Sequence, residues 1–306
     1  PYTMDITEIY GFDNLHHAEG ILLEAQQRAA ALYHASETFY LVNGSTCGIL
    51  AAVAAAPKRG GKLLMARNCH KAAYHAALLN NLEVSYLYPA ADMTRGLSGA
   101  IAPDEVERML KKDASLRTVL ITSPTYDGVC SDVRRIAEIV HQYDGILIVD
   151  EAHGAHFGMH PYFPEHALTC GADLVINSVH KTLPSLTQTA LLHVQGMRVD
   201  RERLKRFLGM YQTSSPSYVL MAGIDACVRM LLEHGPELFD TFAKRLEGLR
   251  KQLFCMQALE LVRGTEPELG AYDYDRSKIL VATHRSGIAG LELSGMLRSQ
   301  YQLEME

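Results

Sequence analysis

The chain has 306 residues, of which 48% are hydrophobic and 21% charged, with a net charge of −6; it can bury one large core plus a smaller one, which excludes disordered and fibrous classes. An acidic balance without clustered positive charge argues against a nucleic-acid partner, and no apolar run approaches the roughly 20 residues that span a bilayer. Neither a basic start nor an apolar stretch of a secretory signal is visible at Pro1-Tyr2-Thr3-Met4-Asp5, and the six cysteines (47, 69, 130, 170, 227 and 255) form no Cys-x-x-Cys pair, so thiols in the reducing cytoplasm are expected.

Along the chain, helical patterns alternate with short β-rich runs. Residues 19–33 place Ile21, Leu22, Ala25, Ala29 and Leu32 at helical spacing. A strand at 39–42 and an Ala-rich helix at 46–56 follow. Further strands are predicted at 62–66, 84–88, 118–122, 146–150, 173–177 and 190–194. Helices are predicted at 103–112, with Pro at a position suited to a start, and at 132–143, with Asp132 as a capping candidate. Runs such as Ile146-Leu147-Ile148-Val149 are apolar at every position, as in strands covered on both faces. The pattern predicts an α/β protein with a mostly parallel sheet sandwiched by helices. Beyond residue 198 long helices dominate, at 200–210, 217–233 and 236–257, before a β/α passage at 277–283 and 290–301. A large domain over 1–232 and the start of a smaller one over 233–306 are expected.

In such sheets ligands bind beyond the carboxyl ends of the strands. Five segments stand at those ends. Asn43-Gly44-Ser45-Thr46-Cys47 opens a helix and reads either as a phosphate cradle or as an ordinary capped turn. There is no Walker motif or Gly-x-Gly-x-x-Gly fingerprint, so nucleotides have no positive support. Asp150-Glu151-Ala152-His153-Gly154-Ala155-His156 offers a carboxylate that could pair with a cofactor's ring nitrogen or merely cap a loop. The spacing of His153, His156 and His160 would suit a metal on a helix, but Gly154, Gly158 and Pro161 argue against that helix. Ser178-Val179-His180-Lys181-Thr182 carries a lysine that is either a surface charge or, if desolvated, a Schiff-base nucleophile. Arg67-Asn68-Cys69-His70-Lys71 presents His70, either a capping or a stacking imidazole. Thr122-Ser123-Pro124-Thr125-Tyr126-Asp127-Gly128 is a turn-rich loop. Together these are the parts that hold pyridoxal phosphate (PLP).

These segments, in order and together with Asp5-Ile6-Thr7-Glu8, Asp13-Asn14-Leu15-His16-His17-Ala18-Glu19-Gly20 and Leu41-Val42-Asn43-Gly44-Ser45-Thr46, give the chain a resemblance to the bacterial PLP-dependent Orn/Lys/Arg decarboxylases. The resemblance covers nearly all of the sequence. It implies a seven-stranded sheet of the fold-type-I kind with a partial small α/β domain. It implies Lys181 as the residue joining PLP, Asp150 as partner of the pyridine nitrogen, and His70 stacked on the ring. Ser45, Thr46, Ser178 and His180 would hold the phosphate, with His153 near the ring or its phenolic oxygen. Lys181 would return a proton to Cα, with His180 as a rival acid; no metal is required. Thr187 and Gln188 would reach toward a partner subunit's cofactor in a homodimer or higher oligomer. The implied activity is decarboxylation of arginine, lysine or ornithine to a polyamine-type product. Another fold-type-I reaction (an aminotransferase or aldolase), or a PLP-binding homologue without turnover, are the alternatives. In that family a Gly-His-Lys-containing segment usually precedes the point where this sequence starts, and the small domain usually continues beyond Glu306. A shortened small domain is therefore expected.

Overall fold

A computed structural model describes residues 6–57 and 59–305. Asp5, where the resemblance begins, and the stretch inspected for a secretory signal (residues 1–5) lie outside the described residues, as does Glu306.

Seven strands form the central sheet: β1 (Glu37–Leu41), β2 (Lys62–Ala66), β3 (Glu83–Leu87), β4 (Thr118–Thr122), β5 (Ile146–Asp150), β6 (Leu174–Asn177) and β7 (Ala190–Val194). Their spatial order is β1-β7-β6-β5-β4-β2-β3. Strands β3, β2, β4, β5 and β6 pair in parallel, whereas β7 runs antiparallel to both of its neighbours, β6 and β1. Leu147, Ile148 and Val149 are wholly buried, because helices cover both faces of the sheet.

Nine helices are described: α1 (Ile21–Tyr33), α2 (Gly44–Ala55), α3 (Lys71–Leu79), α4 (Pro103–Lys112), α5 (Val133–Gln142), the single turn α6 (Val179–Thr182), α7 (Arg201–Tyr211), α8 (Tyr218–Leu253) and α9 (Gly290–Tyr301). Helix α2 is apolar around most of its circumference since it lies between β1, β6 and β7 on one side and α3 and α7 on the other. Gly48 lets it come so close: a Cβ there would stand 2.6 Å from Leu41 Cδ1 and 3.3 Å from Ile176 Cγ2. On the opposite face, Tyr40 Oη donates to the Ala25 carbonyl of α1. Asp132 caps α5 by accepting from Arg135 N at 3.0 Å.

The two helices expected at 217–233 and 236–257 are one, α8, of 36 residues with Pro236 inside it. Its buried positions Ile224, Cys227, Val228, Leu231, Gly235, Phe239, Ala243, Leu246 and Arg250 recur every three or four residues, so one continuous apolar stripe outweighs the loss of a single backbone donor at proline. Beyond α8 the chain turns back: Asp273–Tyr274 pairs with Val129–Cys130, and Val281–Ala282 with Glu260–Leu261. Arg250 fastens this return by donating to the carbonyls of Val262, Arg276 and Lys278 at 3.0–3.3 Å. No helix among the described residues is long and apolar enough to cross a membrane. All six cysteines are free, and five are buried.

Candidate active site

The carboxyl ends of β1, β2, β4, β5 and β6 open on a cavity of about 520 Å³, within the usual range of roughly 300–1,000 Å³ for small-molecule sites. Ser45, Thr46, His70, Asp150, His153, His180, Lys181, Thr187 and Gln188 all line it. The folding of five separate segments to one sheet edge is what brings them together.

Gly44 adopts φ +75° as the chain turns from β1 into α2, a conformation open to glycine. Asn43 does not cap this helix; its Oδ1 accepts from Thr213 N at 3.0 Å. The first-turn N–H groups of α2 thus lack a side-chain cap, and together with the Ser45 and Thr46 hydroxyls they form a donor set suited to a phosphate. Gly44 N donates to Gln188 O, and Gln188 Nε2 donates to Val42 O, so Gln188 braces the turn from within its own chain.

Ser178 does not line the cavity. It is fully buried behind Ser45, donating to Ser45 Oγ at 2.9 Å. His180 Nδ1 lies 2.8 Å from the Thr189 carbonyl, and a carbonyl can only accept, so the ring proton is on Nδ1. Contact from Nε2 to a phosphate as a donor would therefore require the doubly protonated ring.

Asp150 ends β5 in register with Thr122 of β4. It is 4% exposed, and its Oδ1 accepts from Ala152 N at 3.2 Å. Burial pushes its pKa up to about 6, although the backbone hydrogen bond and the Lys181 charge oppose the rise. Behind it, Glu151 is held by His166 Nε2 at 2.8 Å, Ala167 N at 2.9 Å and Asn177 Nδ2 at 3.1 Å, a network with no counterpart in the sequence reading.

Lys181, on α6, reaches His153: Nζ stands 3.0 Å from Nε2. Burial, then the charges of Lys181 and Lys278, lower the His153 pKa to about 3, so the ring is neutral at ordinary pH. The Tyr126 ring meets it edge-on, with centroids 5.2 Å apart. His70 is exposed and caps α3, its Nδ1 accepting from Ala72 N at 3.2 Å. Partial burial and the Lys181 charge lower its pKa.

The three histidines that could have suggested a metal diverge. His156 is buried against Asp275 at 3.2 Å, and His160 turns toward Asp240 at 4.0 Å. Among the described residues no group of three or more His, Cys, Asp or Glu could hold a metal ion. Asn68, Ile49 and Tyr126 also line the cavity. Lys278, behind His153, carries no sequence signal, because only the return of the chain after α8 brings it there.

The sheet order with β7 reversed, and a lysine and a buried carboxylate at its carboxyl edge, put the chain in the fold-type-I α/β class. Residues 2–271 match the family described as Orn/Lys/Arg decarboxylase, major domain. The chain belongs to that family. It is 36% identical over 299 residues to the uncharacterized protein YaaO of Bacillus subtilis (strain 168), covering 96% of this chain and 61% of YaaO. It is 33% identical over 306 residues to an arginine decarboxylase of Halalkalibacterium halodurans, covering 99% and 62%. The chain thus spans about three-fifths of the length of these relatives. Among solved structures, lysine decarboxylase A from Pseudomonas aeruginosa superposes with a TM-score of 0.73 at 24% identity, over 82% of this chain and 36% of that one, a likeness of fold.

Proposed function

We propose that the chain is the PLP-binding part of a decarboxylase acting on arginine, lysine or ornithine. The observation that carries this reading is the meeting of Lys181, Asp150 and the uncapped, hydroxyl-bearing first turn of α2 around one cavity. The residues fit PLP by the chemistry of their donors and acceptors. A phosphate matches the N–H and hydroxyl groups at Ser45 and Thr46. A protonated pyridine nitrogen matches Asp150, a carboxylate whose raised pKa reflects burial with little compensating charge. Lys181 is the amine that would join the group.

Bound there, PLP supplies the electron sink that a decarboxylation needs. Above about pH 6 Asp150 is ionised, and as a carboxylate it would hold a proton on the ring nitrogen by charge pairing. His70 lines the cavity and would pack against the ring. Lys181, an amine lining the cavity, would be the acid that returns a proton to Cα, and His180 is the second candidate. Homodimeric assembly and a cytoplasmic setting belong to the same proposal. The choice among the three basic amino acids rests on the names of the relatives, two kinds of which are arginine and lysine decarboxylases.

The test is purified protein with PLP, incubated separately with arginine, lysine and ornithine. Carbon dioxide and the matching amine are the expected products. A keto acid would instead assign another reaction of this fold. A yellow absorbance that Lys181→Ala abolishes is expected, and a wild-type protein that PLP cannot colour sinks the site assignment.

A further inference from the structure

Each nitrogen of the His153 ring faces a lysine amine. Lys181 Nζ lies 3.0 Å from Nε2, and Lys278 Nζ lies 3.4 Å from Nδ1. Burial, the largest cause of its lowered pKa, keeps the ring neutral even with only one charged lysine beside it, so it has one N–H. The nitrogen that carries it can donate only to an amine with a lone pair, so the lysine on that side is unprotonated. The bare nitrogen accepts from the lysine on the other side, which can be an ammonium. The ring tautomer and the charge states of the two lysines are therefore a single variable.

The surroundings favour charge on Lys278. Its Nζ stands over the Tyr126 ring at 5.3 Å from the centroid, where the π-face attracts a cation. The Asp127 carboxylate lies in its field. Its backbone is pinned by Lys278 N donating to Asp275 O and by Arg250 donating to Lys278 O. The other groups that face His153 are Asp275, His180 and the Tyr126 ring, and Asp150 faces Lys181. Asp150 attracts a charge on Lys181, whereas Lys278 repels it through the intervening ring.

We propose that Lys278 is a positioning residue: as the ammonium of the pair it holds His153 in the Nε2–H tautomer, which donates to Lys181 and keeps that amine unprotonated for attack on a carbonyl carbon. No proton is gained or lost by this arrangement; it fixes which of the two amines is the bare nucleophile. The inference rests on reading Lys181 as the lysine that joins the cofactor, but its test needs neither cofactor nor turnover.

The cofactor-free protein is labelled competitively with acetic anhydride across a pH series, and the peptides bearing Lys181 and the exposed Lys112 are quantified by mass spectrometry. At pH 7, Lys181 is expected to react about tenfold faster than Lys112. Lys278→Met is expected to remove that excess, while Lys278→Arg, which keeps charge and donor, retains it within about twofold. Nitrogen-15 NMR of wild-type His153 is expected to show the proton on Nε2, a readout that does not depend on how any variant folds. A proton on Nδ1, or a Lys278→Met protein whose Lys181 labels as in wild type, overturns the proposal. A reactive Lys181 in a protein that PLP cannot colour would sink the decarboxylase reading and leave this one standing.

Discussion

Ser178 Oγ donates to Ser45 Oγ at 2.9 Å, joining the end of β6 to the first turn of α2. Because Ser45 accepts in this pair, its own hydroxyl proton remains available to the cavity. A fully buried residue thereby orients one that lines the site.

Ser178→Ala should consequently weaken PLP binding without removing any group that touches it. Loss of one such hydrogen bond, about 0.5–1.5 kcal/mol, corresponds to about a twofold to twelvefold rise in Kd. Ser45→Ala should weaken binding further. Absorbance titration with PLP measures both, and equal affinity in wild type and Ser178→Ala would show that the pair does not orient the hydroxyl.

Asp150 makes the cofactor-free protein sensitive to pH. Its folded pKa of about 6 lies above the ordinary 3.8, so the folded state keeps a proton that the unfolded chain releases. The associated stability is present at low pH and is lost as pH rises through about 6. The difference corresponds to about 3 kcal/mol, most of it between about pH 4 and 7. Asp150→Asn should flatten this part of the profile in denaturant unfolding of the cofactor-free protein. Parallel pH profiles for the two proteins would contradict the assignment.

Gly48→Ala tests the close approach of α2 to the sheet. The added methyl would meet Leu41 Cδ1 at 2.6 Å, and Leu41 is itself fully buried. Overpacking of this kind costs about 1–3 kcal/mol. A lowered Tm is expected, with weaker PLP binding as the α2 turn is pushed outward. A variant as stable as wild type would mean that Leu41 repacks freely.

Glu151→Ala should destabilise the segment behind Asp150. It strips a buried acceptor from His166 Nε2, Ala167 N and Asn177 Nδ2 at once. Asn177 Nδ2 keeps its bond to the Glu151 carbonyl and His166 Nε2 keeps Asn177 Oδ1 at 3.0 Å, which leaves the Ala167 N–H unpaired and a loss of about 1–3 kcal/mol. Chemical denaturation measures it. Since the Glu151 charge also raises the Asp150 pKa, the Asp150-dependent part of the stability profile should shift to lower pH in this background.

Much of the sheet is legible in the sequence because strands covered on both faces are apolar throughout: Lys62–Ala66, Thr118–Thr122, Ile146–Asp150 and Ala190–Val194 have the bounds that their composition predicts. Helix α3 is not, since Lys71–Leu79 is rich in alanine and small in contrast between its faces. The separation of 217–233 from 236–257 fails at Pro236, where a local signal yields to tertiary packing. Lys181, Asp150, His153 and His70 stand out because each ends or follows a strand. Lys278 does not, because it precedes the short strand Val281–Ala282 and meets His153 only across 125 positions of chain.

Helix α8 turns these local contacts into a matter of leverage. At 36 residues it is about 54 Å long. At its start Tyr218 Oη donates to Asp13 O, and Arg28 of α1 grips Asp225; near its other end Arg250 holds the carbonyl of Lys278. Pro236 lies at its midpoint. A tilt of about 2° there would swing the far end by about 1 Å, as large a change as separates a hydrogen bond from none. The spacing between Lys278 and His153 is in this sense gauged by a girder whose fulcrum, Pro236, lines no part of the cavity and acts on it only through Arg250.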